Sequence, residues 1–376
     1  MLIRFFNKPI IMRRLLFLSI LAAWCFTPVL AQPVTITVSN PTAAQRQELV
    51  AIDACQLPFA ASKGVIVRDA FGIERVTQLT RDGKLLLEVH LHPHGTASYT
   101  IQPGIPAALR SWVSGRQYPE RLDDIAFEND RIGFRLYGPA LQRRGEKGYG
   151  HDVWVKRTTE LILDELYRNN PKMSFHLDYD KGLDCYAVGP TLGCGTPAII
   201  KNGEFLFPWC YATYRILENG PLRFQVQVNF PTSAEGTTEH RILTLDKGSN
   251  FCEATVWYDG ITQPTDVAAA FAIRPAYPES VVKGAGYIHY ADPTIEPEHH
   301  QTQIYVALAF PDQQVEITTM QSHGVGILRG YRSGQRFHYF FGAAWSEFDV
   351  RSQAEWQLRI ESLMQAKQHP LQIKLP

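Results

Sequence analysis

The chain has 376 residues, of which 37 are basic and 37 acidic, so its formal net charge is +0. This balance gives no indication of a general surface for nucleic acid or anionic membranes, and any anionic ligand must be met by local charge. The sequence contains no G-x-S-x-G, H-E-x-x-H, P-loop or G-x-G-x-x-G pattern, which excludes the common hydrolase, zinc-protease and nucleotide-binding motifs.

The first residues have the pattern of a secretory signal peptide. Basic side chains, among them Arg13 and Arg14, precede an apolar run over residues 15–25, and the small residue Ala31 follows. A basic segment, an apolar segment and a small residue at the cut are typical of export signals. We therefore predict a signal peptide over residues 1–31, cleaved after Ala31, and a periplasmic or secreted mature protein. The apolar run is shorter than the roughly 18 residues of a membrane helix, so no membrane anchor is expected.

Short β-rich segments dominate the rest of the chain. The clearest of them are residues 34–38, 84–91, 222–228 and 303–308. Several alternate apolar with polar residues, and this period of two predicts half-buried strands. Helical periodicity is scarce, and only residues 155–167 and 352–365 are predicted as helices. The predicted fold class is therefore all-β dominated, a β-sandwich rather than an alternating βαβ fold.

Glycine and proline mark a candidate boundary near residue 105. Pro103, Gly104 and Pro106 follow a strand-like segment there. We predict a small N-terminal β unit over residues 32–105 and a main β domain over residues 106–376. Five cysteines remain after the predicted cleavage, and an odd number leaves at least one thiol unpaired in an oxidising compartment.

Several charge-dense and glycine-containing segments are too unusual in composition for generic strands. They occur in order at residues 121–131, 134–141, 152–157, 176–189, 191–195 and 219–223. This ordered set resembles the exported bacterial family catalogued as domain of unknown function 4861, which is associated with polysaccharide breakdown. The resemblance covers essentially all of the chain after residue 31.

The resemblance implies a β-supersandwich of the galactose-mutarotase type that works on carbohydrate, often beside enzymes that remove unsaturated uronic acids. Related proteins include an activity that eliminates water from the non-reducing uronic acid of an oligosaccharide. The expected function is therefore that of a lyase or dehydratase. Its expected partner is an acidic oligosaccharide, and no nucleic acid is expected.

Elimination at a uronic acid needs a base for the proton next to the carboxylate, a cation that neutralises the carboxylate, and an acid for the leaving oxygen. His176 suits proton transfer, as histidine does in general near neutral pH. Tyr137 and Tyr186 are candidates for the second proton, and Asp184 is the carboxylate expected to point into the cleft. The candidate substrate-binding residues are Arg135, Lys156, Arg223 and Glu128. For each residue a structural ion pair or hydrogen bond is the alternative.

A candidate metal site lies in the loop over residues 178–184, which carries Asp178, Asp180 and Asp184 together with a glycine. Clustered carboxylates bind hard cations, but the distal glutamate of an EF-hand loop is missing here. With His176 nearby, the set His176, Asp178 and Asp184 could bind a divalent metal ion, and no other cofactor is predicted. A solvated acidic turn is the alternative.

Two other functions remain open from the sequence. A glycoside hydrolase would use two carboxylates, with Glu128 and Asp184 as the pair, at one of the two separations that such enzymes require. A glycan-binding protein without catalysis would use the same fold, because a fold does not fix a function. The sugar, the linkage and the oligomeric state do not follow from the sequence.

Overall fold

The structure is a computed structural model that describes residues 32–170, 172–293 and 302–375. The predicted signal peptide over residues 1–31 lies outside these residues and stays a prediction. Within the described part of the chain, no helix is long and apolar enough to cross a membrane.

Two small antiparallel sheets form the N-terminal part of the fold. Their strands are β1 (Val34–Ser39), β2 (Arg46–Asp53), β3 (Val65–Asp69), β4 (Glu74–Arg75), β5 (Thr77–Leu79), β6 (Lys84–Leu91), β7 (Thr96–Pro103) and, from the C-terminus, β26 (Gln372–Lys374). One sheet has the order β26-β1-β7-β3-β4 and the other β2-β6-β5. Alternate side chains such as Ile36, Val67 and Leu87 are buried in a core of their own, because successive side chains of a strand point to opposite faces. The domain boundary near residue 105 stays a prediction.

A third antiparallel sheet follows, which we call the middle sheet. Its strands are β8 (Val113–Tyr118), β9 (Asp124–Asn129), β10 (Gly133–Leu136), β11 (Asp152–Lys156) and β12 (Gly182–Leu183), in the order β12-β11-β10-β9-β8. The register pairs Arg135 of β10 with Asp152 of β11, so both side chains lie on one face. Phe127, Phe134 and Val153 lie on the opposite face and enter the main hydrophobic core.

Two larger antiparallel sheets form the supersandwich. The eight-stranded sheet contains β15 (Thr213–Asn219), β16 (Arg223–Asn229), β17 (Thr238–Asp246), β18 (Phe251–Asp259), β20 (Val281–Gly284), β21 (Tyr287–Pro293), β22 (Gln303–Ala309) and β25 (Phe337–Trp345). The other sheet contains β13 (Cys194–Lys201), β14 (Glu204–Leu206), β19 (Thr265–Ala272), β23 (Glu316–Met320) and β24 (His323–Tyr331). The strand orders are β15-β16-β17-β18-β25-β22-β21-β20 and β14-β13-β19-β24-β23. Leu243 and Phe341 of the first sheet and Val267 of the second share the main core.

The α-helices of the described residues are α1 (Pro139–Arg143), α2 (Leu163–Asn169) and α3 (Gln353–Gln368). The helix predicted over residues 352–365 is confirmed as α3. Ser352 caps it, because the Ser352 hydroxyl accepts a hydrogen bond from the backbone N–H of Glu355.

The helix predicted over residues 155–167 is wrong in its first half. Val155 and Lys156 belong to β11 and pair with Leu183 and Gly182 of β12, and the helix begins only at Leu163. Pairing within the middle sheet overrides the helical periodicity of these residues, as tertiary context commonly does.

The predicted strands and fold class are confirmed. The four predicted segments match β1, β6, β16 and β22 to within one residue at each end. The protein is an all-β β-supersandwich with few helices, and the five cysteines in the described residues are free thiols.

Candidate functional site

Two of the predicted site residues, Arg135 and Asp184, meet Asp124 and Asp152 at the polar face of the middle sheet. Arg135 Nη2 lies 2.7 Å from Asp184 Oδ2 and also forms an ion pair with Asp152, while Asp124 Oδ2 lies 3.8 Å from Nη1. The Arg135 side chain is only 3% exposed. Three carboxylates therefore surround one buried guanidinium, and we call these four residues the Arg135 cluster.

The pKa shifts of the Arg135 cluster follow from burial and charge. Burial raises the pKa of Asp124 to about 6, although Arg135 opposes this shift. Burial also raises the pKa of Asp152 well above its usual range. Burial by itself would lower the pKa of Arg135, but Asp152 and Asp184 outweigh it and raise that pKa. The positive charge of Arg135 is already balanced by protein carboxylates, so little of it is left for the carboxylate of a substrate.

Tyr137 and His176 lie at the edge of the Arg135 cluster. Arg135 Nη2 donates to the Tyr137 hydroxyl at 3.3 Å, and burial raises the pKa of Tyr137. The His176 side chain is 58% exposed, with Nδ1 3.7 Å from Asp184 Oδ2. His176 Nδ1 also lies 2.8 Å from the backbone oxygen of Asp184, which can only accept, so Nδ1 donates and Nε2 carries the lone pair. The role of His176 in proton transfer stays a prediction.

Glu128 and Lys156 form a buried ion pair on the same face of the middle sheet. Lys156 Nζ donates to Glu128 Oε2 and to the backbone oxygen of Asn129, both at 2.5 Å. Glu128 Oε1 accepts hydrogen bonds from the backbone N–H groups of Ile162 and Leu163, at 2.7 and 2.6 Å. Both carboxylate oxygens are therefore occupied at the start of α2. A role for either residue in substrate binding, or for Glu128 in hydrolysis, would require this pair to open.

The hydrogen bonds of Tyr186 and Arg223 go to partners outside the Arg135 cluster. The Tyr186 hydroxyl donates to the backbone oxygen of Gly193 at 3.0 Å. Arg223 donates from Nε and Nη2 to the two carboxylate oxygens of Asp246, at 2.6 and 2.7 Å. Such a bidentate pair occupies the Nε–Nη2 edge of the guanidinium. The predicted roles of Tyr186 in catalysis and of Arg223 in substrate binding stay predictions.

The structure does not bring His176, Asp178 and Asp184 together as a metal site. Asp178 Oδ2 lies 3.0 Å from Arg157 Nη1, and Asp184 is paired with Arg135. Among the residues that the structure describes, no three His, Cys, Asp or Glu side chains are grouped so that they could hold a metal ion.

A cavity of about 650 Å³ lies between the two large sheets. Its walls include residues of β13 and β14 from one sheet and of β17 and β18 from the other. This volume lies within the roughly 300–1,000 Å³ that is usual for small-molecule sites. Phe205, Trp209 and Phe230 contribute aromatic walls, and Glu239 and Tyr258 contribute polar groups. We call it the inner-face cavity.

The inner-face cavity adjoins a narrow extension, with which it shares Trp209 and Phe230. The extension has a volume of about 10 Å³, which is room for about one water molecule. Tyr137, His151 and Arg241 line it. Tyr137 therefore lies between the Arg135 cluster and this extension.

His151, Arg241 and Glu239 form a buried hydrogen-bonded chain here, which we call the His151 chain. Arg241 Nη1 lies 2.8 Å from His151 Nε2, and Arg241 Nε donates to Glu239 Oε1. Because arginine can only donate, Nε2 accepts and the ring proton of His151 is on Nδ1. Arg241 Nη2 is buried and has no hydrogen-bond acceptor among the described residues. An unsatisfied buried donor costs about 1–3 kcal/mol, so the site is suited to an acceptor that a ligand supplies.

Burial sets the protonation of the His151 chain. It lowers the pKa of His151 well below the usual range, and the charge of Arg241 lowers this pKa further, so the imidazole is neutral. Burial raises the pKa of Glu239, although Arg241 opposes this shift. Burial and the charge of Glu239 raise the pKa of Tyr258. The His151 chain therefore contains a neutral imidazole and a carboxyl group with a raised pKa, both bonded to Arg241, and titratable groups of this kind are suited to acid–base chemistry.

Close backbone packing positions His151. The backbone N–H of His151 donates to Thr196 Oγ1 at 2.6 Å, and the backbone oxygen of His151 accepts from the backbone N–H of Cys194 at 2.8 Å. A Cβ atom on Gly150 would lie 2.3 Å from the backbone nitrogen of Gly193, so this approach requires glycine.

The sequence analysis missed the His151 chain, although β17 carries a signal for it. Residues 239, 241, 243 and 245 of this strand point to the buried face. Leu243 and Leu245 are ordinary core residues, whereas Glu239 and Arg241 are charged residues at inward positions of the same alternation. Charged side chains are almost never fully buried unless they are paired, so this pattern marks a buried polar site.

The fold and the cavity define a β-supersandwich protein with a buried cluster of ionisable side chains beside its cavity. The chain belongs to the family described as Domain of unknown function (DUF4861), which matches residues 38–373. It is similar to "Uncharacterized protein P7" of Formosa agariphila, with 23% identity over 312 residues that cover 77% of this chain and 78% of that protein.

Two solved structures from Enterococcus faecalis have a similar fold. One is a protein in the glycosyl hydrolase family 38, with a TM-score of 0.52 and 10% identity, and the other is an alpha-mannosidase, with a TM-score of 0.50 and 11% identity. Each match covers 92% of this chain, but the chain spans less than half of each structure, 47% and 46%. At these identities the likeness concerns the fold alone.

Proposed function

We propose that this protein is a carbohydrate-active lyase or dehydratase that acts at a uronic acid of an acidic oligosaccharide. The observation that carries the proposal is the unpaired Nη2 of Arg241 next to a neutral His151, at the inner end of a cavity. Membership of the family supplies the reaction class as an expectation. The His151 chain contains the three groups that an elimination needs: a cation, a base and an acid.

Arg241 binds the carboxylate of the substrate in this proposal, because guanidinium and carboxylate form strong charge-assisted hydrogen bonds. Once the carboxylate takes the Nη1–H donor, the lone pair of His151 Nε2 is free to remove the proton from the carbon next to the carboxylate. The electrons of that C–H bond form the new carbon–carbon double bond, and the bond from the adjacent carbon to its oxygen breaks. Glu239 gives its proton to the leaving oxygen, and exchange with water then removes the proton from His151 and restores the proton of Glu239.

The small size of the extension requires an opening step. Its volume of about 10 Å³ is room for about one water molecule, so we expect it to widen when the acidic group of the sugar enters. Catalytic groups often reach their final hydrogen-bond distances only in the complex with substrate.

The test uses the mature protein, residues 32–376, and a panel of uronic-acid oligosaccharides, each with and without a chelator. We expect a new ultraviolet absorption from the conjugated double bond. A product lighter by one water identifies a dehydratase, and absorbing shorter fragments identify a chain-cleaving lyase. New reducing ends without absorption would contradict the proposal in favour of hydrolysis, and affinity without any product would contradict it in favour of a glycan-binding protein.

We also propose that the protein acts in the periplasm or outside the cell, because of the export signal that the sequence predicts. The N-terminal sequence of the protein recovered from that compartment should begin at Gln32. Recovery from the cytoplasm with residues 1–31 still attached would contradict this localisation.

A further inference from the structure

The mouth of the inner-face cavity carries an exposed tryptophan. Trp209 is 55% exposed, although it lines both the cavity and its extension. Large aromatic side chains are usually buried more deeply, and an exposed one at the mouth of a cavity is a common anchor for a ligand.

The loop that carries Trp209 is fixed on its C-terminal side. The backbone N–H of Cys210 donates to Gln142 Oε1 at 3.0 Å, and the hydroxyl of Tyr211 donates to the backbone oxygen of Asp123 at 2.5 Å. The exposed indole is therefore presented by an anchored backbone. A surface that is already ordered loses less conformational entropy when a ligand binds.

Further aromatic side chains extend this surface along the cavity. Phe207 is exposed and also lines the cavity, and its ring centroid lies 5.3 Å from that of Tyr149, which lines the extension. Trp209, Phe207 and Tyr149 thus lead from the mouth of the cavity to the His151 chain.

We propose that Trp209 is the platform of a second sugar subsite, which stacks against the ring next to the uronic acid bound at Arg241. One face of a pyranose ring presents C–H groups, which pack on an indole, while the hydroxyl groups stay in contact with water. The extension is too small for a ring and the cavity has a volume of about 650 Å³, so the cavity can take the neighbouring sugar as well. This inference rests on the proposed function and specifies its substrate as at least a disaccharide.

The experiment compares wild-type protein with Trp209→Ala on two substrates, a methyl glycoside of the uronic acid and a disaccharide that ends in it. We expect the substitution to raise KM for the disaccharide about fivefold, since an aromatic contact contributes on the order of 1 kcal/mol, and to leave kcat little changed. KM for the methyl glycoside should stay the same. Trp209→Tyr should restore most of the affinity, because it keeps a flat ring. Phe71→Ala is the matched control, as Phe71 is an exposed aromatic residue of the N-terminal sheets, 88% exposed.

The outcomes separate the subsite from the proposed function. Equal effects of Trp209→Ala on both substrates, or no effect on either, would overturn the subsite while turnover by the wild type upholds the function. A wild type that neither binds nor converts either compound would overturn both. If Trp209→Ala does not fold, the intrinsic fluorescence of the wild type decides: the disaccharide should protect an exposed tryptophan from iodide quenching and the methyl glycoside should not, and equal protection by both would overturn the subsite.

Discussion

His151 and His176 differ in their surroundings, and this difference determines which of them suits the proposed reaction. His151 is 1% exposed, and its Nε2 accepts from a guanidinium that a substrate carboxylate could take over. His176 is 58% exposed, and its Nδ1 is bonded to the backbone oxygen of Asp184. The sequence identified His176 because it stands in a distinctive loop. Burial and the partner of each nitrogen are visible only in the fold.

The lowered pKa of His151 predicts a particular pH profile. The base must be neutral to act, so on the acid side kcat/KM falls when the pH drops through the pKa of His151, which burial holds well below the usual 6.5. We therefore expect full activity to persist below pH 6.5 and the acid limb to lie at lower pH. The measurement is the acid limb of kcat/KM against pH, since loss of the Glu239 proton sets a separate alkaline limb, and an acid limb at or above pH 6.5 would contradict the assignment of His151 as the base.

The raised pKa of Asp124 predicts a pH-dependent effect of the substitution Asp124→Asn. The native carboxyl keeps its proton up to about pH 6, whereas the unfolded one loses it near 3.8. The stability that this proton provides is full below the unfolded pKa and is lost as pH rises through the folded pKa. Asparagine does not titrate, so the unfolding free energy of the variant relative to wild type should increase by about 2–3 kcal/mol from pH 4 to pH 7. Urea denaturation at several pH values measures it, and a difference that stays constant with pH would contradict the account.

Helix α2 depends on a buried ion pair at its start. Glu128 accepts two backbone N–H groups there and is held by Lys156. Removing one partner of such a pair leaves a buried charge, so Glu128→Ala should lower the unfolding free energy by about 3–5 kcal/mol. Glu120→Ala, which removes an exposed ion pair with Arg116, is the control and should cost about 1 kcal/mol or less. Unchanged stability together with lost activity in Glu128→Ala would instead support the predicted role of Glu128 in substrate binding.

The elements that could be predicted from the sequence are those whose signal is local. The segments at residues 34–38 and 84–91 are rich in residues that favour β-strands, and they form β1 and β6. The helix predicted over residues 155–167 is wrong in its first half because β11 pairs with β12, a contact that local periodicity does not contain. The same limit applies to Glu128, since its charge predicted a site, whereas its hydrogen bonds to the start of α2 depend on how the helix packs.

At the scale of the whole molecule, the inner-face cavity depends on pairings between distant segments. β18 pairs with β25, which places Phe251 beside Gly342, and this pairing builds the middle of the eight-stranded sheet. His151 directly precedes β11 of the middle sheet and Arg241 lies on β17, so their 2.8 Å contact exists only after these sheets pack. The fold class could therefore be predicted from the pattern of strands, but the site could not.

In the proposed reaction Arg241, and not Arg223, binds the acidic group of the substrate. The two residues lie on the neighbouring strands β17 and β16, and Arg223 is already paired with Asp246 whereas Arg241 Nη2 is unpaired. The most direct measurement is kcat/KM on a uronic-acid oligosaccharide for Arg241→Lys and Arg223→Lys, after circular dichroism has shown that both variants are folded. Lysine keeps the charge but loses the planar fork, so Arg241→Lys should lower kcat/KM by about 100-fold or more and Arg223→Lys by no more than about twofold. Near-normal turnover by Arg241→Lys, or a large loss in Arg223→Lys, would contradict the account.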